Sequence, residues 1–137
     1  QRQMCIRDSV YPVDGAVPHS CQEEFYVQTR DFLRELKYLK EFTANERKPY
    51  VRFTGGCLFM PTSTGKCSTR VEIDGHSDTT FAFPLPKMLD AVRQFKDEPR
   101  VKLKITSAVS PIMVEADGRG DFALVCPVRL TDRLMAA

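Results

Sequence analysis

The sequence predicts an α+β domain in which one strand-helix-strand-strand-strand unit is performed twice, with two helices packed on antiparallel sheets. Three observations carry that prediction. Apolar residues recur at helical spacing at Phe32, Leu33, Leu36 and Leu39, and again at Met88, Leu89, Val92 and Phe95, a constant 56 residues later. Phe25 maps onto Phe81 at the same offset, just ahead of each helix, which is the self-similarity of a repeated supersecondary unit. Three short runs with strand character, bounded by Gly, Pro and Asp, follow each helix, and the second set fills the closing stretch 100–130.

In chain order, the opening QRQMCIRDS has no periodicity and resembles a translated scar, so residues 1–9 are set apart as non-native. Residues 10–23 carry Pro12, Gly15 and Pro18 in close succession and read as an extended linker. A strand over 25–29 leads into a helix from 30 to about 42, ended by the cluster from Asn45 to Pro49. Residues 50–53 alternate as a strand does, and Gly55-Gly56 reads as a tight turn into a strand over 57–62. After Gly65, residues 66–74 alternate with Cys67, Thr69, Val71 and Ile73 on one face, and Asp74-Gly75 is a turn signal. A strand over 79–83 precedes the second helix, whose start is marked by Pro84-Leu85-Pro86 and whose end is closed by Pro99. Residues 100–130 read as a meander around the tip Asp117-Gly118-Arg119-Gly120-Asp121, ending in Val125-Cys126-Pro127-Val128-Arg129-Leu130. Pro127 has no N–H to give to a ladder, so it predicts an exposed edge or a bend with apolar neighbours on display. Residues 131–137 continue as a tail that either lies over this edge or is a second scar.

A chain of 137 residues is the size of one domain, and 42% hydrophobic with 28% charged residues is ordinary soluble composition. The net charge of +2 is too small to mark a nucleic-acid binder, so the positions of Lys and Arg matter more than their sum. Five cysteines, odd in number and without a C-x-x-C pair, argue against a zinc knuckle or a disulfide framework and predict a reduced, cytoplasmic protein. His19 and His76 stand in no spaced ligand set, so no metal and no cofactor is expected. No apolar run is long enough to span a bilayer, and no membrane partner is expected.

Catalytic chemistry is not assembled by any motif. Cys126 has no histidine at a motif-like position, Gly55-Gly56 lacks the Lys and Ser/Thr of a nucleotide loop, and Arg119-Gly120-Asp121 is turn chemistry rather than an adhesion tripeptide. No catalytic residue is therefore nominated, and a non-enzyme is expected. Lys37 maps onto Arg93 and Lys40 onto Lys96 at the same 56-residue offset, off the apolar stripe of each helix. Spacing alone reads these cations as a solvated face.

The element order, the helix LPKMLDAVRQF, the following VKLKITSAVSPIMVEAD and the terminal FALVCPVRL together resemble the C-terminal domain of the bacterial sliding clamp, the beta subunit of DNA polymerase III. The likeness runs over residues 10–130 and is most specific at its end. It implies a DNA-clamp fold, with 10–23 an interdomain linker, 24–130 the clamp's C-terminal domain and 131–137 a tail, the whole a fragment of a longer chain. The implied function is a processivity factor: part of a homodimeric ring on duplex DNA, bound without sequence preference, that tethers the replicative polymerase and the clamp loader through short peptides.

Family members line the ring's hole with helices, which makes Arg34, Lys37, Lys40, Arg93 and Lys96 the implied DNA-facing positions. They hold client peptides in a cleft beside the last strand, which by the same likeness implies Pro12, Val109, Pro111, Leu124, Val125, Cys126, Pro127, Val128 and Arg129. Phe42 is the implied contact at the ring interface. The chain departs from the family pattern at Lys48, Pro84 and Lys87, which bear on the lip of the cleft, and in lacking an acidic run over 66–73. A second reading keeps the peptide cleft in a stand-alone interaction module that encircles no DNA.

Overall fold

The computed structural model describes residues 23–43 and 47–135. The chain runs β1 (Glu23–Gln28), α1 (Thr29–Lys40), β2 (Tyr50–Thr54), β3 (Cys57–Thr62), β4 (Gly65–Arg70), β5 (Asp74–Gly75), β6 (Phe81–Pro84), α2 (Leu85–Arg93), β7 (Arg100–Ile105), β8 (Ile112–Glu115), β9 (Phe122–Val125) and α3 (Asp132–Met135). Two antiparallel sheets form, one ordered β5-β1-β7-β8-β9 and the other β4-β3-β2-β6. Each half of the repeat thus lends its opening strand to the other half's sheet. β1 pairs with β7, placing Phe25 opposite Leu103 and Val27 opposite Val101. β6 pairs with β2, placing Phe81 opposite Phe53 and Phe83 opposite Val51.

This exchange explains why the repeat is not two separable units. Phe25 and Phe81, equivalent in the repeat, stack on Phe53 with ring centroids 5.4 and 5.0 Å away, and Phe32 of α1 meets Phe53 edge-on. Such rings bury large areas and favour these offset and edge-on geometries. Around this column close the apolar stripes read from the sequence: Phe32, Leu36 and Leu39 of α1, and Met88, Leu89 and Val92 of α2, all buried. The two helices pack against each other.

The helix starts are cross-linked in the same way. Neither Gln28 nor Pro84, the residue preceding each helix, supplies a side-chain cap. Instead the Thr29 N–H donates to the Pro99 carbonyl at 3.1 Å, and the Leu85 N–H to the Pro49 carbonyl at 2.8 Å. Each first-turn amide, which has no partner inside its own helix, is satisfied by the residue just ahead of β2 or β7 in the other half. Pro49 and Pro99, read from the sequence as helix ends, lie well past the last residues of α1 and α2 and serve as these acceptors instead.

Several boundaries differ from the sequence reading. Thr29 begins α1 rather than ending a strand, and α1 stops at Lys40 with Thr43 bonded back to the Lys40 carbonyl through both its N–H and its hydroxyl. The strand expected over 66–74 stops at Arg70. Asp74-Gly75 is not a hairpin turn but a two-residue strand against β1. Its glycine is needed for close approach: Gly75 has φ +129°, and a Cβ there would lie 2.7 Å from the Glu24 carbonyl oxygen and 2.9 Å from Phe25 Cα. The closing strand also ends early, at Val125, leaving Cys126 and Pro127 outside the ladder. The chain there leaves one sheet for the other, where the Val128 N–H donates to the Ala82 carbonyl of β6 at 2.9 Å. Pro127 sits at the crossing, where no N–H is required.

The hairpin tip is tied down. Arg119 forks onto Asp121 at 2.8 and 2.7 Å, reaches Glu98 at 3.4 Å and lies over the Phe95 ring. The Arg119 guanidinium holds the Asp121 carboxyl down at a pKa of about 2. Both ends of the Arg-Gly-Asp sequence are thereby engaged inside the fold. No described helix is long and apolar enough to cross a membrane.

Candidate functional site

The crossing at Pro127 makes a cleft of about 330 Å³, lined by Ala108, Val109, Pro127, Val128, Arg129 and Leu130. Its two walls have different origins. One is the chain between the sheets, held by the Val128 bridge. The other is the turn between β7 and β8, where the Ser107 and Ser110 hydroxyls are 2.9 Å apart and the Val109 N–H donates to Ser107 Oγ at 3.2 Å. That turn presents Val109 to solvent at 79% exposure, a large apolar side chain without cover. Arg129 supplies the cleft's only ionisable side chain among the described lining residues.

Of the residues expected here, Val109, Pro127, Val128 and Arg129 come together. Leu124 and Val125 do not line the cleft: both are fully buried. β9 is a true strand up to Val125, so its alternation sends Val125 into the main core and Leu124 to the opposite face against Met113 and Phe122. Pro111 and Cys126 are half-buried and do not line it either. Burial pushes the Cys126 thiol up, with Lys87 pulling the other way, so it packs as a small apolar group rather than a thiolate. Pro12 lies outside the described residues. Sequence reasoning missed Ala108 and Leu130, although each adjoins a residue that was named.

The five cations nominated on the helices are all exposed. They fall into two kinds. Arg34 is held by Asp31 at 3.2 Å and Glu35 at 3.0 Å, and Arg93 by Asp90 at 3.4 Å. Lys37, Lys40 and Lys96 have no ion-pair partner among the described residues. Lys96 falls in the turn after α2 rather than on the helix, and borders a larger polar cleft of about 510 Å³ between the start of α1 and that turn, with Gln28, Arg30, Asp31, Asp97, Glu98 and Pro99.

Phe42 is 45% exposed and meets Tyr38 edge-on at 5.2 Å, with Tyr38 itself 43% exposed. Tyr38 reaches Cys67 of β4, and among the described residues β4 has no neighbour on its outer side in the four-stranded sheet. α1 is pinned there by the Thr69 hydroxyl, which donates to Glu35 at 2.6 Å and lowers the Glu35 pKa. Elsewhere the fold brings Glu23 to His76 and Asp78, which the sequence spacing did not show. His76 Nε2 is 3.0 Å from Asp78 and 4.0 Å from Glu23. Burial alone would raise the Glu23 pKa, but the Asp78 and Thr79 N–H groups that it accepts outweigh this and lower it. Glu23 is thus an ionised staple for the 76–79 loop.

No family model matches the chain, and no curated protein matches it in sequence. Solved structures do match. The beta subunit from the DNA polymerase of Streptococcus pyogenes superposes with TM-score 0.77 at 16% identity over 87% of this chain and 34% of that one. The beta sliding clamp of C. crescentus gives 0.76 at 17% identity, covering 89% and 34%, and the DNA polymerase sliding clamp of Bacillus subtilis gives 0.71 at 20% identity, covering 87% and 34%. The chain spans about a third of the length of the structures it matches. The exchanged sheets, the paired helices and the cleft at the closing strand are thus set on the fold of a DNA polymerase III beta sliding clamp.

Proposed function

We propose that this chain is the client-binding third of a replicative processivity clamp, with no catalytic step of its own. The observation that carries the reading is the cleft at the sheet crossing. Its apolar walls and single arginine suit a short peptide that brings apolar anchors and a polar partner. The clients are the replicative polymerase and the clamp loader. Exposed Lys37, Lys40 and Lys96, with Arg34 and Arg93 beside them, face duplex DNA and contact phosphates, which hold the duplex without reading its sequence. The edge of β4, open among the described residues, with Tyr38 against it and Phe42 on Tyr38, is the ring contact to a second clamp chain.

The test of the cleft is a titration with a synthetic peptide carrying a glutamine and two apolar anchors, leucine and phenylalanine. Micromolar binding is expected, about −8 kcal/mol. Val128→Asp puts a charge into the cleft wall without touching the core, and it should abolish binding while leaving the melting temperature near that of the parent chain. Unchanged binding by Val128→Asp removes the cleft assignment. For the ring, a chain that carries upstream domains should be retained on circular but not on linear duplex. Peptide binding without that retention supports the stand-alone interaction module instead.

A further inference from the structure

The cleft wall formed by Arg129 and Leu130 has a fixed point on each side. Ahead of it stands the Val128 bridge to Ala82. Behind it stands α3, which the sequence left as a tail over the edge or a scar. α3 packs on β2 and β3. Val51, Phe53, Leu58 and Met60 of those strands point into the core, so the alternate residues Arg52 and Phe59, which are register partners, face outward. Leu134 is 2% exposed, and next to it Met135 is 50% exposed.

Arg52 completes the contact. Its guanidinium lies 4.6 Å over the Phe59 ring, and its Nη1 donates to the Leu134 carbonyl at 2.9 Å. A cation here satisfies one of the carbonyls that a helix end leaves without a partner. At the other end the Thr131 hydroxyl accepts from the Leu134 N–H at 3.4 Å, and the Thr131 carbonyl from the Met135 N–H at 3.0 Å. One buried leucine and one charge-assisted bond therefore anchor the segment that follows the cleft wall.

We propose that Leu134 and Arg52 are positioning residues for the cleft: α3 is a strap that holds Arg129 and Leu130 in their binding geometry, and its release loosens the wall. The proposal rests on the cleft reading and adds a control on it. Because a wall that is formed only part of the time binds more weakly by that fraction, undocking should lower peptide affinity about tenfold without unfolding the domain.

Leu134→Asp and a chain stopped after Leu130 break the strap, and Arg52→Met removes the guanidinium while keeping an apolar stem on Phe59. Met135→Ala serves as an exposed control, and Leu134→Met as the conservative rescue. Two measurements are made on each: affinity for the same glutamine-leucine-phenylalanine peptide, and amide hydrogen exchange at Arg129 and Leu130 with the melting temperature recorded alongside. The expected result is faster exchange at these amides and weaker peptide binding in the three strap variants, at nearly unchanged melting temperature, with both controls like the parent. Unaltered exchange at Arg129 and Leu130 in Leu134→Asp and in the shortened chain overturns the strap, whatever the peptide does. A parent chain that binds no peptide but shows the exchange change overturns the cleft reading and keeps the strap. Binding by the parent and by all three strap variants at equal affinity overturns the positioning role.

Discussion

The two halves of the repeat build the same scaffold and then part company. Both start with a strand given to the other sheet, both start their helix on a proline carbonyl from the other half, and both place a phenylalanine against Phe53. They differ in how the third strand ends. In the first half β4 remains an open edge among the described residues and the chain returns through β5 to begin the second unit. In the second half the chain leaves β9, crosses between sheets at Pro127 and leaves the cleft behind. The candidate sites lie where the symmetry breaks: an open edge at one end and a sheet crossing at the other. Symmetric positions carry the core.

The largest effect should come from the residue that the halves share. Phe53→Ala removes the ring between Phe25 and Phe81, all three fully buried, and should cost about 3–5 kcal/mol. If the halves were independent, only one would loosen. Interleaved sheets predict instead a single, lowered denaturant transition for both, visible as coincident loss of signal from probes in α1 and α2.

Next in size is a break on one side only. Gly75→Ala forces a Cβ against the β1 backbone at a positive φ, and should cost more than about 1 kcal/mol and free β5 from β1. Gly118→Ala is the matched comparison, because Gly118 also has positive φ, +79°, but has nothing within 4 Å of a Cβ. Equal losses in the two variants would show that conformation alone matters and that the contact with Glu24 and Phe25 does not. Chemical denaturation of both variants gives the answer.

These positions also show how far the sequence could be read. The helical stripes, the 56-residue offset and the core were legible because apolar periodicity is a local signal that burial obeys. Which strands the two halves exchange, the carbonyls of Pro49 and Pro99 at the helix starts, and the approach of Glu23 to His76 were not. Each joins residues distant in the chain, with no period to announce it. Gly75 misled because a glycine that admits a neighbouring strand has the same letter as one that turns a hairpin. The cleft was half legible: Pro127 marked the break, yet the strand's own alternation withdrew Leu124 and Val125 from it. A consequence is that Leu124→Asp tests folding rather than binding, whereas Val128→Asp tests binding.

A smaller effect separates the cations of the two helices. Lys37 and Lys96, without acidic partners among the described residues, should each remove close to one unit from the salt dependence of DNA association when changed to alanine, about 0.9 in the log–log slope. Arg34→Ala and Arg93→Ala should remove less, because Asp31, Glu35 and Asp90 already neutralise these arginines. The ordering is measured on a chain able to hold duplex DNA, as affinity against salt. Equal slopes for lysine and arginine variants would mean that the acids release the arginines to the phosphates.

The smallest shift is expected at the hairpin tip, which belongs to the second half alone. Asp121 has a carboxyl pKa of about 2 in the folded chain, below its ordinary 3.8, chiefly through the hydrogen bonds from Arg119. A carboxylate lowered on folding stabilises above its unfolded pKa and loses that contribution as pH falls through the folded one. The ion pair should therefore act fully above about pH 4 and fade toward pH 2. Arg119→Gln returns Asp121 toward its ordinary value, so the melting temperature of the variant should fall less than that of the parent across this window. The difference is small because the pair is about one-third exposed and screened by solvent. Parallel curves for parent and variant between pH 5 and 2 would assign the acid sensitivity elsewhere, first to Glu23 on β1, whose pKa is also lowered and which belongs to the first half.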